Sequence, residues 1–132
     1  MENNEKRYFY NPVLTPEQER AREEKLARFA KAMSHPTRIA ILHFLAKRKH
    51  CYFGAIHEEL PIAKATVSQH LKELKEAGLI QGEIEAPKVK YCINRPNWTL
   101  AKSLFNAFFS DLAEKADDES LFSMLRNLED KC

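Results

Sequence analysis

The segment from residue 62 to residue 79 constrains the fold most, because its pattern predicts one helix with two different faces. Val67, Leu71 and Leu74 recur at positions i, i+4 and i+7, which is the spacing of an apolar stripe on a helix. The opposite face carries cations and short polar groups, with no acid before Glu73. Its members are Lys64, Ala65, Ser68, Gln69 and Lys72. Because cations bind phosphates and glutamine or serine can hydrogen-bond base edges, this face suits a groove of DNA.

The segments on either side decide between this interpretation and an ordinary amphipathic surface helix. Residues 53–60 have a short helical pattern with Ile56 and Leu60 facing inward. Residues 61–63 then supply a three-residue turn, which is the length of a helix-turn-helix connection. Gly78 lies where a left-handed residue can end the second helix. Together these segments predict a helix-turn-helix.

A pair of short strands follows the second helix. Residues 79–85 and 88–94 alternate apolar and polar side chains, and residues 85–88 form the tip of a predicted hairpin. A two-stranded ribbon directly after such a helix is a wing. The predicted fold class is therefore mainly α with a small β hairpin, arranged as a winged helix-turn-helix.

Four motifs carry a resemblance to a known family. They are Ser-His-Pro-Thr-Arg-Ile-Ala-Ile-Leu at 34–42, Thr-Val-Ser-Gln-His-Leu at 66–71, Leu-Lys-Glu-Ala-Gly-Leu-Ile at 74–80, and Lys90-Tyr91. In this combination the chain resembles the ArsR/SmtB-type bacterial transcriptional repressors over roughly residues 26–113. The resemblance implies a homodimer in which each subunit places one recognition helix in the major groove of a palindromic operator. It also implies an effector that loosens this binding.

The helix face and the resemblance together predict which residues contact double-stranded DNA. These are Lys64, Ala65, Thr66, Ser68, Gln69, His70, Lys72, Lys88 and Lys90. Two departures from the family pattern concern details of these contacts. Ala63 stands where a capping Ser or Thr often begins the recognition helix. The wing tip has Pro87-Lys88 in place of the usual Gly-Arg pair.

Two other classes of function compete with a repressor. A winged-helix protein-interaction module without DNA binding is the alternative, and acids on the recognition face would favour it, but that face has none. A thiol enzyme that uses Cys51 with His50 or His57 is disfavoured, and Cys51 and His50 cannot readily pair because adjacent residues on a strand point to opposite faces. The sequence also shows no Gly-rich phosphate loop, so we expect a protein that is not an enzyme and needs no cofactor.

Composition and charge set further bounds. A chain of 132 residues with 44% hydrophobic and 30% charged residues is typical of one soluble globular domain. There is no run of eighteen apolar residues and no apolar signal-like N-terminus, so we expect a cytoplasmic protein without a membrane partner. The net charge of +2 is too small to indicate nucleic-acid binding by itself. Residues 111–132 carry seven acids against three bases, which places this end away from DNA phosphates. For residues 47–49 (Lys-Arg-Lys) we prefer a stabilising effect at a helix C-terminus over a DNA contact.

Two outer helices are expected to build the homodimer. Thr15 caps the first, with Pro16 in its first turn and Gln18 in the capping-box position, and Asn97 caps the second. The second helix carries more aromatic surface than one small core needs, and large exposed apolar patches are uncommon on soluble monomers. The predicted interface, which the resemblance also implies, consists of Leu26, Phe29, Met33, Trp98, Leu104, Phe105, Phe108, Phe109 and Leu112. The alternative is that these side chains fill the core of one subunit.

These elements give the expected organisation of the chain. Residues 1–15 form a flexible N-terminal arm, residues 16–115 form the winged helix-turn-helix with its dimerisation helices, and residues 116–132 form a C-terminal helix.

The effector is not identified by the sequence. Tyr52 and Gly54 stand where many relatives have metal-binding cysteines, and the C-terminal metal site of the family also lacks its ligands, so we predict no metal site. In this fold the strand that holds Cys51 pairs with the wing strand that holds Cys92, so the two thiols can form a redox or soft-metal switch that re-aims the recognition helix and releases DNA. Free, reduced and half-buried cysteines are the alternative.

Overall fold

The helices and strands follow the predicted order. The computed structural model describes residues 14–84, 89–110 and 123–128. Its elements are α1 (Pro16–Ala32), α2 (Pro36–Ala46), β1 (Tyr52–Phe53), a single 3-10 turn (Ile56–Glu58), α3 (Lys64–Glu76), β2 (Ile80–Glu83), β3 (Lys90–Ile93) and α4 (Arg95–Phe109). Residues 123–128 are also helical. The predicted arm at 1–13, the hairpin tip at 85–88 and most of the predicted C-terminal helix lie outside the described residues.

Strand β3 is the centre of a small antiparallel sheet with the order β1-β3-β2. It pairs Tyr91 with Tyr52 on one side and with Gly82 on the other. Gly82 has a φ of +121°, and a Cβ atom there would overlap the backbone carbonyl of Lys90. This position therefore requires glycine for two reasons, its backbone conformation and the close approach of β3. Helices and sheet together confirm the winged helix-turn-helix fold.

The core lies between the sheet and the four helices. Its largest fully buried side chains are Tyr91, Phe29, Ile41, Leu42, Ile56, Leu74, Leu79 and Ile80. Helices α1, α2 and α3, together with the 3-10 turn and strands β2 and β3, contribute to this group, and α4 adds Ala101 and Leu104 to the same cluster. Burial raises the pKa of Tyr91 to about 12, so its hydroxyl stays protonated in the core.

The start of α1 confirms the predicted capping box. The Thr15 hydroxyl oxygen accepts a hydrogen bond from the Gln18 backbone amide at 3.1 Å, and the Thr15 amide donates to the Gln18 side-chain carbonyl at 2.9 Å. Pro16 occupies the first helical turn. The first half of α1 is largely exposed, as its charged sequence predicted, and the helix enters the core only at Phe29 and Ala32.

The start of α4 corrects one prediction. Asn94, not Asn97, is the cap, because its side-chain oxygen accepts from the Asn97 amide at 3.2 Å. Pro96 then falls in the first turn, where its missing N–H costs nothing. The Asn97 side chain instead donates to the carbonyl of Gly78 at 2.9 Å. Gly78 has the expected left-handed φ, +86°, so Asn97 fastens α4 to the end of α3.

The predicted helix at 53–60 is also wrong in part. Only Ile56–Glu58 is helical, as one 3-10 turn, and Phe53 belongs to β1. Phe53 pairs with Lys90 in the sheet, and Gly54 follows with a φ of +112° that no α-helix contains. Because Phe53 pairs with β3, the first residues of this segment are not helical. Ile56 is nevertheless fully buried and Leu60 packs against the core, as predicted.

Candidate nucleic-acid interface

Helix α3 has the orientation that its sequence pattern predicted. Leu71 and Leu74 are buried, and Val67 packs against the core. The polar face points outward. Its exposed members are Lys64, Ala65, Thr66, Ser68, Gln69 and Lys72. Six of the nine residues predicted to contact DNA therefore lie on one exposed surface with no acid before Glu73, which we call the α3 face.

The first turn of α3 is arranged differently from a capped helix. Ala63 occupies the cap position, and no side chain among the described residues caps the helix start. The Thr66 hydroxyl donates to the Ala63 carbonyl at 3.1 Å. Thr66 keeps its lone pairs free to accept a further hydrogen bond. The positive end of the helix dipole is thus left beside Lys64, which favours a negatively charged partner there.

A hydrogen bond to another residue of α3 orients the Gln69 side chain. Its side-chain amide donates to a carboxylate oxygen of Glu73, one turn later, at 3.3 Å, and both groups lie at the protein surface. This contact is weak enough to exchange for another partner, because exposed hydrogen bonds of this kind contribute little to stability. Gln69 therefore has a preferred orientation without being locked.

His70 is the one predicted DNA-contacting residue on α3 that does not lie on this face. It is only 8% exposed, and its Nδ1 accepts a hydrogen bond from Nε of Arg38 at 3.2 Å. Its ring lies 4.5 Å from that of His35, centroid to centroid. Arg38 also donates to the Ala32 carbonyl at 3.2 Å, so the group joins α1, α2 and α3. We therefore assign His70 to packing and remove it from the contact set.

The environment of His70 also sets its protonation. Burial is the main cause that lowers its pKa from the ordinary value, and the nearby His35 and Arg38 lower it further. The hydrogen bond from Arg38 requires an unprotonated Nδ1, which agrees with a neutral ring.

The described part of the wing adds one cation and one aromatic ring. Lys90 is exposed, and its Nζ lies 5.0 Å from the ring centroid of Phe53 on the neighbouring strand. Phe53 is 68% exposed, which is unusual for a large apolar side chain, and it was not among the predicted site residues. If residue 53 had been assigned to a strand, its pairing with Lys90 across the sheet would have indicated that it belongs to the wing surface. Lys88 lies outside the described residues.

The residues predicted for dimerisation separate into two groups. Phe29 and Leu104 are 0% and 9% exposed, so they belong to the core of one subunit, and their assignment to the interface was wrong. Leu26, Met33, Trp98 and Phe105 pack against that core but keep some exposure.

Phe108 and Phe109 form the exposed part of the predicted interface. They are 54% and 68% exposed, and their rings meet at 5.2 Å. They border a cleft of about 580 Å³ between α1 and α4, with Leu26 and Ala30 on the opposite wall. Leu112 lies outside the described residues.

Comparison with known proteins identifies the family. The model of a helix-turn-helix domain matches residues 33–83. The HTH-type transcriptional regulator YgaV of Escherichia coli is 33% identical over 73 residues, which cover 55% of this chain and 74% of that protein. This chain belongs to the ArsR/SmtB-type family of winged helix-turn-helix transcriptional regulators.

Two further proteins are also similar to this ArsR/SmtB-type chain. The HTH-type transcriptional regulator CmtR of Mycobacterium tuberculosis is 36% identical over 72 residues, and the chain spans 60% of its length. The biofilm growth-associated repressor of Xylella fastidiosa is 26% identical over 107 residues, 81% of this chain and 90% of that protein. No solved structure matches the chain.

Within residues 14–84, 89–110 and 123–128, no three His, Cys, Asp or Glu side chains cluster closely enough to hold a metal ion. In the same ranges, none of the helices has the length and apolar character needed to cross a membrane.

The neutral state of His70 predicts how stability depends on pH. The unfolded chain takes up a proton on this histidine near the ordinary pKa of about 6.5, whereas the folded chain resists it to a lower pH. This contribution to stability is present above about pH 6.5 and is lost as the pH falls toward the folded-state pKa. In His70→Asn the amide oxygen still accepts from Arg38 but cannot titrate.

We expect urea unfolding midpoints at about pH 7.5 and about pH 5 to differ more for the wild type than for His70→Asn. Parallel midpoints for the two proteins would show that His70 titrates alike in the folded and unfolded chains.

Proposed function

We propose that this chain is a DNA-binding repressor that binds a palindromic operator as a homodimer and is released by an effector. The observation that supports it most is the α3 face, an exposed surface of cations and short polar side chains on the second helix of a helix-turn-helix. The names of the similar proteins, all transcriptional regulators or repressors, point the same way.

The two cations of the α3 face lie on either side of Ser68 and Gln69 along the helix. Lys64 and Lys72 are eight residues apart, which is about 12 Å along a helix. A recognition helix lies in the major groove with its N-terminal residues at the base edges. We assign these two lysines to phosphates that flank the contacted bases. Ser68 and Gln69 lie between them, where they would meet the edges of the bases.

The wing extends this surface to a second groove or to the flanking backbone. Lys90 offers a further phosphate contact, and the exposed ring of Phe53 restricts its side chain. With Lys90 included, the proposed DNA contacts among the described residues are Lys64, Ala65, Thr66, Ser68, Gln69, Lys72 and Lys90.

The exposed aromatic end of α4 supports the proposed homodimer. Phe108 and Phe109 together would leave an apolar patch in water, which a second subunit would cover. The cleft between α1 and α4 beside them offers a groove of matching apolar character. A two-fold dimer would present two recognition helices to half-sites about one helical turn apart.

Gln69→Ala tests direct base reading. Loss of a bidentate contact to adenine should weaken operator binding by about 1–3 kcal/mol and relax the preference at one base pair per half-site. Binding to random DNA should change little. Gln81→Ala is the matched control, since Gln81 is also an exposed glutamine but lies on β2.

Competition titrations with operator and random duplexes measure both effects. Equal losses on the two duplexes would assign Gln69 a structural role only. If the wild type binds neither duplex, the winged-helix protein-interaction module becomes the better description.

Lys64→Ala and Lys72→Ala test the phosphate contacts. Each should lower affinity for all sequences alike and reduce the slope of log K against log salt by about one unit per half-site. Lys102→Ala, which removes an exposed lysine on α4, should leave the slope unchanged. A slope equal to that of the wild type would exclude the substituted lysine from the phosphate-contacting set.

Phe108→Glu and Phe109→Glu test the dimer. A carboxylate in an apolar interface is costly to desolvate, so each variant should be monomeric at micromolar concentration while keeping its helical content. Phe53→Glu is the matched control, because Phe53 is as exposed as Phe109 but lies on β1. Sedimentation velocity gives the oligomeric state, and if both α4 variants remain dimeric the interface lies elsewhere.

A further inference from the structure

Cys51 and Cys92 face each other across the edge of the sheet. Tyr52 pairs with Tyr91 and Phe53 pairs with Lys90, so Cys51 and Cys92 are the next opposed positions of the same antiparallel ladder. Their Cα atoms are 4.4 Å apart and the structure joins them in a disulfide. Since directly opposed residues of an antiparallel pair lie about 4.5–5.5 Å apart, the pairing of β1 with β3 brings the two cysteines within reach of each other.

The surroundings of the pair are basic. A small cavity of about 150 Å³ beside the two sulfurs is lined by Arg48, Lys49, His50 and Arg95 and by no acidic side chain of the described chain. Arg95 is fixed there by donating to the Arg48 carbonyl at 3.0 Å. Positive charge stabilises a thiolate over a thiol, and the thiolate is the reactive form of cysteine.

The cavity is small. Both cysteines are half-buried, and about 150 Å³ corresponds to only about five water molecules. A small peroxide fits this space. Gln81 supplies a further polar group, since its side-chain nitrogen lies 3.9 Å from Sγ of Cys92.

The pair lies on the same side of the sheet as the described part of the wing surface. Tyr91 and Ile93 of β3 are buried, so alternate residues Lys90 and Cys92 point away from the core. On β1, Tyr52 is buried and Phe53 is exposed. The thiol pair is therefore the next row beside the Lys90–Phe53 pair.

We propose that Cys51 and Cys92 are a redox site that reduces small hydroperoxides, and that the resulting disulfide weakens DNA binding. This regulatory part rests on the proposed function. The disulfide closes a loop of 41 residues that contains α3 and β2. Without it, β1 is held to β3 by only two residue pairs, so the wing can adjust to DNA. The cross-link removes this adjustment.

The chemistry balances with a hydroperoxide as the oxidant. One thiolate attacks a peroxide oxygen, the O–O bond breaks, and the alkoxide leaves and takes a proton, which produces a sulfenic acid and an alcohol. The second thiol then attacks the sulfenic sulfur, forms the S–S bond and expels water. The two sulfurs together lose two electrons, which the peroxide gains.

The test compares full-length protein, reduced and then treated with one equivalent of hydrogen peroxide. We expect each chain to lose two hydrogen atoms by mass spectrometry, in a peptide pair that joins Cys51 to Cys92. Operator affinity should fall by about tenfold, within the usual range of coupling between sites, and dithiothreitol should restore it. Cys51→Ser and Cys92→Ser should keep the affinity of the reduced wild type, whereas Cys132→Ser should respond as the wild type does.

A charge variant tests the role of the basic cavity. Arg95→Gln should oxidise several-fold more slowly than the wild type, and Lys102→Gln, elsewhere on α4, should oxidise at the wild-type rate. Equal rates for the two variants would overturn the assignment of the cavity as the reactive site.

The outcomes separate this inference from the proposed function. If the reduced protein binds the operator and the oxidised protein binds equally or more tightly, the inference fails and the repressor function stands. Failure of peroxide to form the Cys51–Cys92 bond also overturns it. If neither form binds DNA, the proposed function fails, and the mass measurement still decides the peroxide chemistry.

Discussion

The pairing of β3 with both of its neighbours is the constraint on which the orientation of α3 depends. β1 precedes α3 in the chain and β2 follows it, and both are hydrogen-bonded to β3. Tyr91, fully buried at the middle of β3, meets the ring of Tyr52 at 5.8 Å and packs beneath the sheet. The recognition helix is therefore anchored at both ends by one four-residue strand. The third anchor is Arg38, which ties His70 in the middle of α3 to the end of α1.

The elements that the sequence predicted correctly are those whose signals are local. The stripe of Val67, Leu71 and Leu74 placed α3, and Gly78 ended it, because periodicity and left-handed conformation act within a few residues. The segment at 53–60 was assigned too much helix, since its first residues are taken by a strand pairing with β3 almost forty residues later in the chain. Asn94 and Asn97 are both residues that favour a cap position, and in the structure Asn94 caps α4 while Asn97 contacts Gly78 at the end of α3.

The difference between local and long-range interactions also separates the site residues that the sequence predicted correctly from those that it did not. Helical periodicity alone placed Lys64, Ser68 and Gln69 on the outer face, where the structure has them. His70 neighbours them on the helix, and it is buried by side chains from residues 35 and 38, more than thirty positions earlier. Aromatic content likewise predicted an apolar α4 but could not divide it into a core side and an open side. That division depends on where α1 crosses α4.

The proposed redox site and the proposed DNA contact at Lys90 share one short strand. Cys92 and Lys90 are two residues apart on β3, about 7 Å, and both point away from the core. Tyr91 between them is fully buried, so β3 cannot rotate at one end without moving its packed centre. A cross-link at Cys92 therefore acts on the base of the wing directly, without a relay through the core. Because hydrogen bonds to base edges weaken steeply with distance and angle, a small displacement of the wing relative to α3 is sufficient to change affinity.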